Sequence, residues 1–115
     1  MIPLIAAFLA LSPLTEFKRR WDACEADKSL IGSSYAGCVV DAATLEQKEF
    51  HIRIDVAVRR KLISRRRLNR WEDARDKRCK RASQTTPYPY TEVVEADCRS
   101  RADDRFLKSI GGKSD

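Results

Sequence analysis

Cys24, Cys38, Cys79 and Cys98 are the residues of this 115-residue chain best suited to covalent chemistry. Paired, they form disulfides; together, as thiolates, they would hold a zinc ion. Spacing separates the two readings. The intervening stretches are 13, 40 and 18 residues long, and no CxxC pair occurs. Zinc sites usually include at least one close pair on a knuckle. Two disulfides are therefore expected, with no metal and no cofactor.

Other reactive groups are sparse. The only histidine, His51, has no obvious Ser or Cys partner. The adjacent carboxylates Asp103-Asp104 and Glu72-Asp73 stand next to Arg or Lys and read as solvated charges. Nothing shows the pairing of a nucleophile with a base, and no Gly-rich phosphate loop is present. The chain reads as a non-enzyme that acts by binding.

The elements that must position these residues are helical. Gly and Pro fill only eight positions and charged residues 35%, a composition that favours helix over a turn-rich β fold. Ser12 and Pro13 suit the cap and first turn of a helix whose Leu14, Phe17, Trp21 and Cys24 share a face. LIGSSYAGC reads as a loop, with Ser33 or Ser34 able to cap the next helix. From Cys38 to Leu62 two periods compete. Phe50, Ile52, Ile54, Val56 and Val58 alternate like a strand, but Phe50, Ile54, Val58 and Leu62 also recur every fourth residue. A strand would lack a second alternating segment to pair with, so one long helix is predicted.

Residues 65–82 form the next predicted helix. A turn of 100° per residue places Ile63, Leu68, Trp71, Ala74, Cys79 and Ala82 on one broad face. Arg66, Arg70, Lys77, Lys80 and Arg81 form a basic ridge on and beside the opposite face. Asp73–Lys77 and Asp76–Lys80 are spaced for exposed ion pairs. Arg67 and Arg78 lie near the Ile63 edge and can snorkel to water. Arg75 falls between Trp71 and Cys79, so it must be buried and find a partner outside its own segment. SQTTPYPYTE is a loop in which Tyr88 and Tyr90 are expected to cover the core edge. Thr91 can cap a last helix with Val94, Cys98, Ala102, Phe106 and Ile110 in a stripe, and Gly111-Gly112 as its stop.

The expected architecture is all-α: a small bundle of three main helices, with a possible short N-terminal fourth, stapled by two disulfides. Residues 1–12 read as a signal peptide or apolar segment, 13–110 as one helical domain and 111–115 as a frayed tail. MIPLIAAFLALSPL is too short to span a bilayer and suits the apolar core of a signal sequence, although no Lys or Arg precedes it. Paired cysteines and this segment together point to a periplasmic or secreted protein. Antiparallel neighbours bring all four cysteines to one end. Three pairings are possible, and the sequence-local Cys24–Cys38 and Cys79–Cys98 are favoured.

The run WEDARDKRC from Trp71, followed by Cys98 and Arg105, resembles the LprI N-terminal family of small exported bacterial proteins, named for a lysozyme inhibitor. That family carries W-x-x-(Tyr/Phe)-R-D-x-x-C, four cysteines with the first two about a dozen residues apart, and an Arg in the final helix. The likeness spans roughly Cys24 to Ile110. Ala74 stands where the family has an aromatic and Leu68 where it has Gln. The resemblance implies an all-α disulfide-linked fold of the envelope, structural roles for Trp71, Arg75, Asp76 and Arg105, and lysozyme as a possible partner.

Charge points to a different partner. Residues 59–81 hold 12 Lys or Arg against three acids, whereas the whole chain carries a formal +6. The ridge Arg66, Arg70, Lys77, Lys80 and Arg81 suits an anionic envelope component or an acidic protein. It would repel a basic lysozyme, for which only small acidic faces remain, Glu25 with Asp27 or Asp103 with Asp104. Nucleic-acid binding uses the same physics, but export disfavours it.

Overall fold

The computed structural model describes residues 12–112. Four helices run through them: α1 (Pro13–Ala26), α2 (Ser33–Arg59), α3 (Arg65–Ser83) and α4 (Thr91–Gly112). No strand occurs among the described residues. The apolar segment before Ser12 and the tail after Gly112 lie outside them. The fourfold spacing from Phe50 is helical only as far as Arg59, where α2 ends: Phe50, Ile54 and Ala57 are buried and Ile52 is exposed, whereas Leu62, expected in the helix, stands exposed in the turn beyond it. The α4 helix runs to Gly112, two residues past the expected domain edge.

Helix starts differ in detail from the expectation. Pro13 does open α1, but the Ser12 hydroxyl does not cap it; it donates instead to Asp104 Oδ1 at 2.6 Å. At α2 the cap position is Gly32, whose φ of 55° lies in the region that favours glycine. Ser34 Oγ accepts from the Ile31 amide and donates to the Ile31 carbonyl, fastening that turn rather than capping the helix. Ser64 caps α3 by accepting from the Arg67 amide at 3.1 Å. Thr91 is the first residue of α4, and its hydroxyl closes the preceding loop on the Thr86 carbonyl.

α2 and α4 run parallel, because Val39 and Ala42 pack with Val93 and Ala96, and Phe50, Ile54 and Ala57 with Phe106, Leu107 and Ile110. α1 lies antiparallel against both, and α3 lies antiparallel along α4. Phe17 and Cys24 of α1 are buried, with Leu14 and Trp21 packed beside them. The Trp21 indole donates to the Tyr35 hydroxyl at 2.6 Å, which ties α1 to α2.

The disulfides are Cys24–Cys38 and Cys79–Cys98, both in the half of the bundle where α2 and α4 begin. One fastens α1 to α2 and the other α3 to α4. Replacing Cys79 and Cys98 together by Ser is expected to cost about 3 kcal/mol in the chain-entropy account of a loop this size. Urea denaturation followed by circular dichroism measures it; an unchanged midpoint would mean that α3 is held without the bridge.

Two sequence expectations about packing are corrected. Tyr88 and Tyr90 do not cover the core; both are exposed, Tyr90 resting near the Tyr35 ring. Ala74 and Ala82 are exposed, and the buried face of α3 is instead Leu68, Arg75, Cys79 and Ser83. The charge at Arg75 thus sits at the centre of that face.

Candidate functional site

Two apolar clusters make the core, and a polar layer lies between them to which every helix contributes. The lower cluster is built on Phe50, Leu68, Phe106 and Leu107, the upper on Phe17, Val39 and Val93. Between them lie Ser12 at the start of α1, Glu46 and Gln47 of α2, Arg75 and Asp76 of α3, and Ser100, Asp103 and Asp104 of α4.

Arg75 is the hub, with 5% of its surface exposed. Its Nη1 donates to Asp103 Oδ1 at 2.7 Å, and its Nε donates to Asp76 Oδ1 at 3.0 Å. The guanidinium lies 5.2 Å from the centre of the Trp71 ring and 5.8 Å from that of Phe50. Trp71 itself is half-buried and stacked on Phe106 at 4.0 Å. A planar fork spreads one charge over two carboxylates and an aromatic wall, which a lysine's point charge does not do.

Asp103 is fully enclosed and Glu46 is 1% exposed. Asp103 Oδ2 accepts from Gln47 Nε2 at 2.6 Å. Glu46 Oε1 accepts from Gln47 Nε2 and from the Ser100 hydroxyl, whereas its Oε2 meets no donor. Burial, followed by the Asp103 charge beside it, pushes the Glu46 carboxyl up to about 8. Burial raises Asp103 as well, but there the Arg75 cation pulls the other way. Of the pair, Glu46 is therefore the member that holds the proton, and its hydrogen bond to Asp103 is the one that needs it. Both carboxyls are enclosed, so this proton is not presented at the surface.

Gln47 also lines an open groove of about 300 Å³ between α2 and α4, floored by Val40, Ala43 and Ala96. Arg99 closes one side, its Nη2 on Glu95 at 2.9 Å and its Nε 3.4 Å from Asp76.

The motif residues divide. Trp71, Arg75 and Asp76 converge on the polar layer. Arg105 is exposed on α4 and forms no ion pair among the described residues. The ridge Arg66, Arg70, Lys77, Lys80 and Arg81 is exposed throughout. Of these five, only Lys77 has a carboxylate among the described residues, Asp73 at 3.3 Å. The expected Asp76–Lys80 pair does not form, because Asp76 is turned inward to Arg75 and Arg99. His51 is exposed, with Nε2 3.4 Å from Glu72.

Comparison with family models, with curated proteins and with solved structures finds no match to this chain. The site therefore rests on its own geometry. One correction bears on function. Asp103 and Asp104, expected as solvated charges and as an acidic docking face, are buried: Asp103 by Arg75, and Asp104 beneath Ser12 and Lys108. Glu46, Gln47 and Ser100 were not legible as site residues. The available signal was a polar residue on an apolar stripe, Glu46 between Ala42 and Phe50, and Ser100 with Asp103 between Ala96 and Leu107.

Proposed function

We propose that this chain is a small exported, non-catalytic binding protein of the bacterial envelope, and that it holds an anionic partner on the outward face of α3. The observation that carries the reading is the state of the ridge. Arg66, Arg70, Lys80 and Arg81 are exposed and have no carboxylate partner among the described residues. Cations left unpaired on one helix keep their full attraction for an external anion. The first turn of α3 contains no acid, so its arginines also face the positive end of the helix dipole, where cations are disfavoured by a few tenths of a kcal/mol or more. The helix dipole favours Lys80 and Arg81 in the last turn, but not Arg66 in the first. The two disulfides agree with an oxidising compartment, and no helix among the described residues is long and apolar enough to cross a membrane. The LprI-like motif residues serve this reading as scaffold: Trp71, Arg75 and Asp76 fix the inner side of α3 and leave its outer side for the partner.

Retention on an immobilised polyanion tests it. The protein is expected to elute at clearly higher salt than the variant Arg66→Gln/Arg70→Gln/Lys80→Gln/Arg81→Gln, and binding should weaken steeply as ionic strength rises. Equal elution of the two would remove the ridge from the account. Lysozyme inhibition, the implication of the resemblance, keeps only the exposed Glu25 and Asp27 as an acidic face. Lysozyme rate curves are accordingly expected to be unchanged at micromolar excess.

A further inference from the structure

The basic face of α3 continues around the corner into the end of α2. From Val56 to Arg70 there are seven Lys or Arg and no Asp or Glu. Arg59, Arg60, Lys61, Arg65, Arg66 and Arg67 are all exposed at the corner. Among the described residues only Arg65 meets a carboxylate, Asp55 at 3.6 Å, with both side chains more than half exposed. At the apex, between these two groups of three cations, stands Leu62, 38% exposed, while the next residue, Ile63, is buried in the lower cluster.

This corner is held in shape. The amides of Arg60, Lys61 and Leu62 donate back to carbonyls of Val56, Val58 and Ala57 at 2.9–3.0 Å. Lys61 takes a φ of 61° to make the turn. Ile63 anchors the far side, and Ser64 caps α3. The tip is thus a fixed loop with an apolar residue at its point and a collar of cations around it.

We infer that the α2–α3 corner docks the protein on an anionic phospholipid surface, with Leu62 entering the interface and the collar on the lipid phosphates; this rests on the anion-binding reading of α3. The chemistry favours lipid over the other anions. A bilayer interface accepts an apolar side chain and its flanking cations together, at two depths, and long Arg and Lys side chains reach the headgroups from such a position. A nucleic-acid backbone gains nothing from an exposed leucine, and an acidic protein would use it only with an apolar pocket set at the right depth among its carboxylates. The corner also carries no aromatic ring on which a base could stack.

Flotation of the disulfide-bonded full chain with vesicles tests the inference. Binding is expected to vesicles of mixed phosphatidylglycerol and phosphatidylcholine and not to phosphatidylcholine alone. Each cation at such a surface strengthens binding about fivefold. Arg59→Gln/Arg60→Gln/Lys61→Asn should therefore weaken it by about a hundredfold with an unchanged unfolding midpoint; Asn is chosen at 61 because it tolerates positive φ. In Leu62→Trp, the added fluorescence should shift to the blue on anionic vesicles, and an unshifted signal would overturn the inference. So would tighter binding to duplex DNA than to anionic vesicles at equal salt. Loss of vesicle binding in Lys77→Gln/Lys80→Gln/Arg81→Gln but not in the corner variant would overturn the corner and leave the α3 face standing. Retention on a polyanion with no vesicle binding would do the same, whereas failure on both supports removes both readings.

Discussion

Replacing Arg75 by Ala is expected to lower the unfolding free energy by about 3–5 kcal/mol at neutral pH, because it strands the partner of a buried ion pair. Small domains of this kind are commonly stable by about 5–15 kcal/mol, so the variant would be marginal. Asp103 has no surface exposed, and Arg75 Nη1 at 2.7 Å is its only cation among the described residues. Removing the guanidinium leaves a carboxylate in the core beside Glu46 and deprives Trp71 and Phe50 of the group that lies 5.2 and 5.8 Å from their ring centres. Arg75→Lys should recover only part of the loss, since one ammonium cannot reproduce a fork that meets Asp103 and Asp76 together. The double variant Arg75→Met/Asp103→Leu should be less destabilised than Arg75→Met alone, because the stranded charge goes with its partner. Urea midpoints of Arg75→Met, Asp103→Leu and the double variant decide the point. A double variant that simply adds the two single losses would mean that the pair is not coupled.

That buried arginine also shows what could be read from the sequence. Helical phase alone put Arg75 among Trp71 and Cys79 and required a partner from another segment, and Asp103 is that partner. The same helical phase expects Ala74 and Ala82 inside, whereas both are exposed. Apolar residues set the direction of the predicted face, and a buried arginine contributes nothing to such a count, so the predicted face tilts too far towards the alanines. On α4 the strict fourfold stripe Val94, Cys98, Ala102, Phe106, Ile110 slips 40° at each step against a 3.6-residue turn. The face that α4 buries is wider, since α1, α2 and α3 all pack on it, and it takes in Val93, Ala96, Ser100, Asp103 and Leu107. The helices, the preference for helix over strand at 50–59 and the local disulfides are legible because they depend on neighbours in sequence. The polar layer depends on which residues of four helices reach the same level, and no spacing within one helix contains that information.

The layer accounts for one property of the fold as well as its register. Divided by Arg75, Glu46 and Asp103, the core is two apolar clusters that cannot slide past one another without unpairing buried charge. Sliding α3 along α4 would carry the basic face out of position along with Arg75. The inner side of α3 therefore determines where the outer side is presented.

Stability is expected to fall as pH rises from about 5 to 8, and Glu46→Gln should abolish most of that fall. In the unfolded chain this carboxyl loses its proton at an ordinary value near 4.5, whereas in the fold it keeps the proton up to about 8. Between those values the folded state binds one proton more than the unfolded state. Its stability therefore declines with pH at about 1.4 kcal/mol per unit for one whole proton. Below the window both states are protonated and the contribution is constant; above it both are ionised and the full cost of a second buried carboxylate is felt. Gln reproduces the hydrogen bonds of the protonated acid. Its oxygen can accept from Ser100 and Gln47 as Glu46 Oε1 does, and its amide can donate towards Asp103 from the place of Oε2. The variant should come close to the parent near pH 5 and exceed it near pH 8 by about 3–4 kcal/mol. Urea titrations at pH 5, 6.5 and 8 measure both slopes. If parent and variant showed the same slope, the proton would not be on Glu46, and the neutral member of the pair would have to be sought at Asp103.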